Sequence, residues 1–325
     1  LLLRDVPQLD AGYAADVVGD ARLGTASLTL DMMDEGAGDL DALEIGAALD
    51  RLGATLTLGA DLDSAVAGVT ALKANLAETL ALYADVVLEP TFPEAELSRL
   101  RQQTLAAIQQ EMSQPRSMAL RLFPQLIYGE GHPYALPFTG TGTLESVRAI
   151  TRDDLVGYHR TWFKPGNATL IVTGDTTMAE IRPLVERHFG DWAPGSVPNK
   201  SIPAVAPAEA PVVHVVDRPG AEQSMIIAGH VVPPYDHPDR LAIESANNVL
   251  GGSFSARVNM NLREDKHWSY GARSIIADAR GPQPFFMFAP VQTDKTAASM
   301  AELRAELDML TSTRPPTAEE TTKVK

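Results

Sequence analysis

The chain has 325 residues, 45% hydrophobic and 21% charged, and no apolar run approaches the roughly 18 residues that a membrane helix needs. Its 27 Lys and Arg against 42 Asp and Glu give a formal net charge of -15, a field that repels phosphate backbones and argues against nucleic-acid binding. Cys is absent, which excludes both a disulfide framework and a thiolate metal site.

A chain of this length suggests two domains rather than one core. The N-terminal LLLRDVPQ reads as the end of a strand, not as a signal peptide with a charged start and a cleavage site. Residues 39–53 place Leu40, Leu43 and Ala47 at helical spacing, with Gly53 as the C-cap. Residues 54–72 alternate with period two around a Gly/Asp turn and predict a hairpin. Two amphipathic helices follow, ANLAETLALYADVVLEP and EAELSRLRQQTLAAIQQEM, separated by Pro90 and Pro93. Thr151 and Asp154 cap a short helix ending near Trp162; residues 168–175 predict an apolar strand, and a helix then runs to about His188.

APGSVPNKSIPAVAPAEAP, residues 193–211, carries five prolines that fix φ and remove amide donors, so it reads as an extended linker. The expected division is a first domain at 1–192 and a second at 212–325. The second runs through the strand SMIIAGHVV, the helix at 239–252, a turn region from 253, a helix through Leu262, the strands ARSIIADA and PFFMFAPVQ, and the helix TAASMAELRAELDML. Helix, turn, helix, hairpin and helix thus recur about 215 residues apart, a duplication of pattern rather than of identity. The expected fold class is α+β, two homologous domains each built from a mostly antiparallel sheet with helices packed on one face. Thr317 and Glu320 open one more helix, within which the sequence reaches Lys325. The second domain is therefore expected to be incomplete here, as part of a longer polypeptide in which any targeting segment would lie upstream.

Several chemical signatures are missing: G-x-S-x-G, the phosphate-binding G-x-x-x-x-G-K-[ST], and G-x-G-x-x-G after a strand. No two of the seven His are three or four residues apart, so no helical His pair can grip a metal. His132, in GEGHPYALP, is expected to be a structural hydrogen-bonding residue, and His267 to face solvent.

Three stretches in order, LTLDMMDEGAG, HPYALPFTGTGTLESVRAITRDDLVGYHRTWFKPGNATLIVTGD and LGGSFSARVNMNLREDKHWSY, together resemble successive landmarks of the M16 (pitrilysin-like) zinc peptidases. The resemblance implies two homologous α+β domains per half. In active members it also implies an early helix bearing H-x-x-E-H, two His that hold zinc and a Glu that acts as general base, with a distal Glu ligand. Here that motif falls on GTASLTLD: Ser27 and Asp31 stand at the two His positions and Leu30 at the Glu, while Glu111 matches the distal ligand. No metal is expected in this chain, and Glu111 then reads as a solvated helix carboxylate.

The family's second half supplies an Arg and a Tyr that reach the substrate. They match Arg263 and Tyr270, after Gly251, Gly252 and Ser253, which the resemblance assigns to substrate binding. Arg offers a rigid fork of donors for a peptide carbonyl, and Tyr a hydroxyl for an oxyanion. The expectation is a non-catalytic subunit, inactive alone. It would pair with a zinc-bearing M16 homologue as a heterodimer or higher assembly and act on peptide or unfolded-polypeptide substrates held extended along a sheet edge. A structural or assembly protein of the same fold is the alternative, and one half of a fused chain a third. The resemblance points to the periplasm, with the cytoplasm as the alternative.

Overall fold

The computed structural model describes residues 2–3, 22–199, 201–206 and 208–324. They pack as two units, Leu1–Gln110 with Leu136–Ser201, and Glu111–Ala135 with Ile202–Lys325. The expected boundary at the proline-rich linker is contiguous in sequence, whereas the packing assigns 111–135 to the second unit.

In the first unit the strand β1 (Leu2–Leu3) leads to helix α1 (Thr25–Met32), the short pair β2 (Gly36–Ala37) and β3 (Leu40–Asp41), and α2 (Ala42–Leu52). Asp41 closes a capping box with Glu44; Gly53 ends α2 at φ 60, the C-cap that the sequence predicts. The predicted hairpin is β4 (Thr55–Ala60) and β5 (Ala65–Thr70), in which the Asp61 carboxylate accepts from the Asp63 and Ser64 amides to close the turn. Helices α3 (Leu76–Leu88) and α4 (Glu94–Ser113) follow.

Helix α5 (Pro115–Tyr128) belongs to the second unit, and the chain then returns with α6 (Leu144–Ala149), α7 (Arg152–Trp162), β6 (Ala168–Thr169) and α8 (Met178–Phe189). The sheet order is β4-β5-β1-β6, antiparallel throughout. Its core joins Leu28, Leu30 and Met32 of α1 to Ile45, Val86, Leu97 and Leu155. Among the described residues the strand expected at 168–175 is ladder-paired at Ala168 and Thr169, opposite Leu3 and Leu2.

The second unit holds the antiparallel sheet β7-β9-β8, from β7 (Gln223–Val232), β8 (Arg273–Ile276) and β9 (Gln283–Gln292). Phe285, Met287, Ala289 and Val291 of β9 enter one cluster with Leu250, Val258 and Leu303. The alternate residues face the other way: the Phe286 ring lies 5.6 Å from that of Phe123 on α5, and Arg116 sits over Phe288. Both faces of β9 are thus covered, which explains its unbroken apolar run.

Between the strands lie α9 (Arg240–Asn247) and α10 (Arg257–Asn259), with α11 (Thr296–Leu310) and α12 (Ala318–Lys323) after β9. The expected helices at 239–252 and through Leu262 each finish as a π-helical turn, Asn248–Gly252 and Met260–Asp265. The entry to α11 repeats that of α3, a 3-10 turn directly before the helix.

One buried cation fixes the end of this unit. Arg257 on α10 is 8% exposed and gives the Glu320 carboxylate two hydrogen bonds, of 2.8 and 2.7 Å. It donates also to the carbonyls of Arg314 and Pro315. Glu320 accepts the Thr317 amide at 2.8 Å, so a single carboxylate caps α12 and holds it to α10. The Arg257 guanidinium beside it depresses the Glu320 carboxyl to about 2.

Replacing Arg257 by Met is expected to destabilise the chain by about 3 kcal/mol, and Glu320→Gln by less, since Gln keeps one acceptor. Urea unfolding measures both. A second group sets an acid limit. His159 on α7 donates Nε2–H to the Val87 carbonyl at 2.9 Å, and burial lowers its pKa from 6.5 to about 4. Folding keeps it neutral, so its contribution is full above pH 6.5 and is lost as the pH falls towards 4. His159→Phe, which has no such proton to take up, should lose stability less steeply across that window in thermal melts.

Candidate functional site

Helix α1 begins at Gly24, whose φ of 94 is left-handed, and its Thr25 and Thr29 hydroxyls bond back to the carbonyls of Arg22 and Thr25. Of its eight residues all but Ser27 and Asp31 are buried. Those two are one turn apart on a single face, the face that two zinc-binding His would need. Their chemistry does not suit a metal. The Ser27 hydroxyl donates to the Gly140 carbonyl at 3.1 Å. Asp31 is reached by solvent, yet its pKa is raised to about 6, chiefly by the water its packing removes and then by the neighbouring charges of Asp34 and Glu35. Leu30 is 0% exposed and belongs to the core, where no base could meet a water molecule.

Glu111 is not the solvated carboxylate expected. It pairs with Arg121 of α5 at 2.6 Å, and their side chains are only 17% and 11% exposed, because the turn into α5 folds the two together. Among the described residues no group of three His, Cys, Asp or Glu could hold a metal. Family zinc ligation therefore does not fit these residues. No helix among them is long and apolar enough to cross a membrane.

His132 is structural, as its loop suggests. Its Nδ1 accepts the Tyr134 amide at 3.0 Å, its Nε2 meets the Pro203 carbonyl at 3.1 Å, and its ring stacks on Tyr128.

Arg263 and Tyr270 do come together. Arg263 lies in the π-helical turn Met260–Asp265, and its guanidinium carbon is 5.2 Å from the centre of the Tyr270 ring. The charged run between them closes as a reversal. His267 takes the left-handed φ of 57 and reaches back to the Arg263 carbonyl at 3.0 Å. The amides of Trp268 and Ser269 both bond the Leu262 carbonyl, and the Ser269 hydroxyl donates to Pro290 of β9 at 2.6 Å. Tyr270 then projects from a fixed backbone and is 83% exposed. Exposed His267 agrees with the sequence reading.

Phe254, which sequence reasoning passed over, completes the group. Its ring centre is 4.6 Å from the Arg263 guanidinium and it is 62% exposed. A large aromatic in the glycine-rich turn was the available signal. Buried Asn259 links the two sides: its amide donates to the Phe254 carbonyl at 2.6 Å and its oxygen accepts the Ala272 amide at 3.1 Å.

The three turn residues assigned to substrate divide. Gly252 and Ser253 are exposed. Gly251 is buried, and a Cβ there would lie 2.4 Å from the Ser274 amide of β8, so its backbone approaches a strand rather than a ligand.

A family model described as the peptidase M16 inactive domain matches residues 149–325, more than half of the sequence. The chain belongs to the peptidase M16 family. Among its M16 relatives are an uncharacterised zinc protease of Mycobacterium leprae, 26% identical over 72% of this chain and 52% of its own length. Human mitochondrial-processing peptidase subunit beta is also 26% identical, over 78% of this chain and 52% of the relative. The chain thus spans about half the length of these curated relatives. An M16 inactive domain from Pseudomonas fluorescens superposes with a TM-score of 0.87 at 24% identity, over 99% of this chain and 76% of that one. A Helicobacter pylori protease gives 0.86 at 22%, with the same coverage. These superpositions establish the M16 α+β fold.

Leu30 offers a direct check on the core assignment of α1. Leu30→Met should cost less than about 1.5 kcal/mol, whereas Leu30→Glu, which buries a carboxylate without a partner, should cost about 3 kcal/mol or more. Chemical denaturation of the two variants separates them.

Proposed function

We infer that this chain is a non-catalytic subunit, or half, of a heteromeric M16 zinc peptidase. In this reading it contributes Arg263 and Tyr270 to a composite site whose zinc is held by a homologue with an intact H-x-x-E-H. The observation that carries the reading is a contrast. On α1, Ser27 is engaged in a hydrogen bond and Leu30 lies in the core, which leaves only Asp31 to solvent, while half-buried Arg263 stands beside the exposed Tyr270 ring.

The chemistry follows from the side chains. The terminal nitrogens of Arg263 donate to a peptide carbonyl and fix the scissile segment in plane. The Tyr270 hydroxyl donates to the same oxygen as negative charge develops on it. The substrate is a peptide or an unfolded segment, held extended along a sheet edge. Being named a subunit, the human relative lends the assembly reading its support.

The test is reconstitution. Mixed with a zinc-bearing M16 homologue, the chain should support hydrolysis of a fluorogenic peptide that neither protein cleaves as fast alone. Arg263→Ala and Tyr270→Phe should each lower kcat about a hundredfold, with the partner's zinc content unchanged. Chelator-sensitive activity from this chain alone would refute the reading. Wild-type turnover by both variants would instead make the chain a structural subunit.

A further inference from the structure

Two aromatic rings 62% and 83% exposed, both within reach of one guanidinium, are an unusual use of surface. Apolar rings left in water gain nothing from burial, so packing does not account for them. Nor does the fold need their exposure, since Val258 and Leu262 on the same short stretch are buried in the second unit's core. What the fold does supply is rigidity. Asn259 is 3% exposed, and its two hydrogen bonds tie the Phe254 backbone to the strand entry that follows Tyr270. The Ser269 hydroxyl ties the other end to β9.

The donor count points to a ligand as well. The Arg263 Nε is 3.4 Å from Glu264, and its two terminal nitrogens carry no hydrogen bond among the described residues. The cation thus keeps two donor nitrogens, with four N–H groups, available to a ligand. The guanidinium covers part of each ring, and the exposed remainder is flat, apolar and fixed in place.

We propose that Phe254 is a specificity-determining residue that receives an apolar, preferably aromatic, side chain of a peptide whose backbone carbonyl is bound by Arg263. This deepens the function proposed above and rests on it for the role of Arg263. Aromatic stacking on Phe254 selects the side chain, and the Arg263 donors hold the backbone whatever that side chain is. A Lys at the same peptide position is disfavoured, because it would bring a second cation against Arg263.

The experiment titrates the full chain with capped peptides Ac-Gly-Thr-Xaa-Thr-Gly-NH2, where Xaa is Phe, Leu, Ala or Lys, followed by NMR chemical shifts. The wild type should bind the Phe peptide about tenfold more tightly than the Ala peptide, with Leu between them and Lys weakest. Phe254→Ala should erase the difference between Phe and Ala while retaining the weaker shared binding. Phe254→Leu should restore part of it and exclude a collapse of the turn as the cause. Arg263→Ala should weaken all four peptides together. An unchanged preference in Phe254→Ala overturns this proposal alone. Binding that survives Arg263→Ala overturns the function proposed for Arg263, and the absence of binding by any peptide overturns both.

Discussion

A guanidinium taken almost wholly out of water must find acceptors for its donors or unfold the structure that buries it. Arg257 meets that demand with a carboxylate and two backbone carbonyls, and the second unit is arranged around them. Its acceptors come from the 314–315 turn and from α12, so α10 is fixed to the far end of the sequence. Asn259 and Arg263 follow within two turns of that anchor. The segment that carries Asn259 and Arg263 is therefore held from behind by an ion pair, not by the apolar core alone. The same network continues through Arg314 to buried Glu306, which Asn261 also reaches at 2.9 Å. Asn261 lies in the π-helical turn that carries Arg263.

The π-helical turns have a physical role. A wider turn shifts the side chains after it out of the 3.6-residue register. In the first such turn Gly251 closes onto Ser274, an approach that any Cβ would block. In the second, Leu262 points into the core while Arg263, the next residue, reaches the two rings. A regular helix followed by a regular strand would not bring Arg263 over a residue seven positions later. The left-handed His267 supplies the reversal that does.

Much of this was legible from residues alone. The capping boxes at Thr151 and Thr317, the Gly53 stop and the 54–72 hairpin are local devices, decided within four or five residues. The exchange of 111–135 into the second unit was not legible, because it depends on Phe123 meeting Phe286, far away in sequence. Glu111 illustrates the same limit. Its helix reads as exposed, and only the fold around α5 brings Arg121 to it. For the site, the family resemblance pointed to Arg263 and Tyr270 but not to Phe254, which the guanidinium joins through space. The π-helical turns have no composition of their own to read.

The zinc-motif positions and the Arg263–Tyr270 pair differ in the state of their hydrogen-bonding groups. The Ser27 hydroxyl donates a hydrogen bond to the Gly140 carbonyl, Glu111 is paired with Arg121, and Asp31 sits where dehydration favours its protonated form. Drawing Ser27 or Glu111 to a ligand would first cost an existing interaction. Arg263 is in the opposite condition. Its contacts are two π faces and one long approach to Glu264, none of which consumes the terminal donors. A carbonyl arriving there displaces water and breaks no bond within the protein. In a chain of net charge -15 that cation also stands against the prevailing field, which makes it a natural place for a carbonyl oxygen to settle.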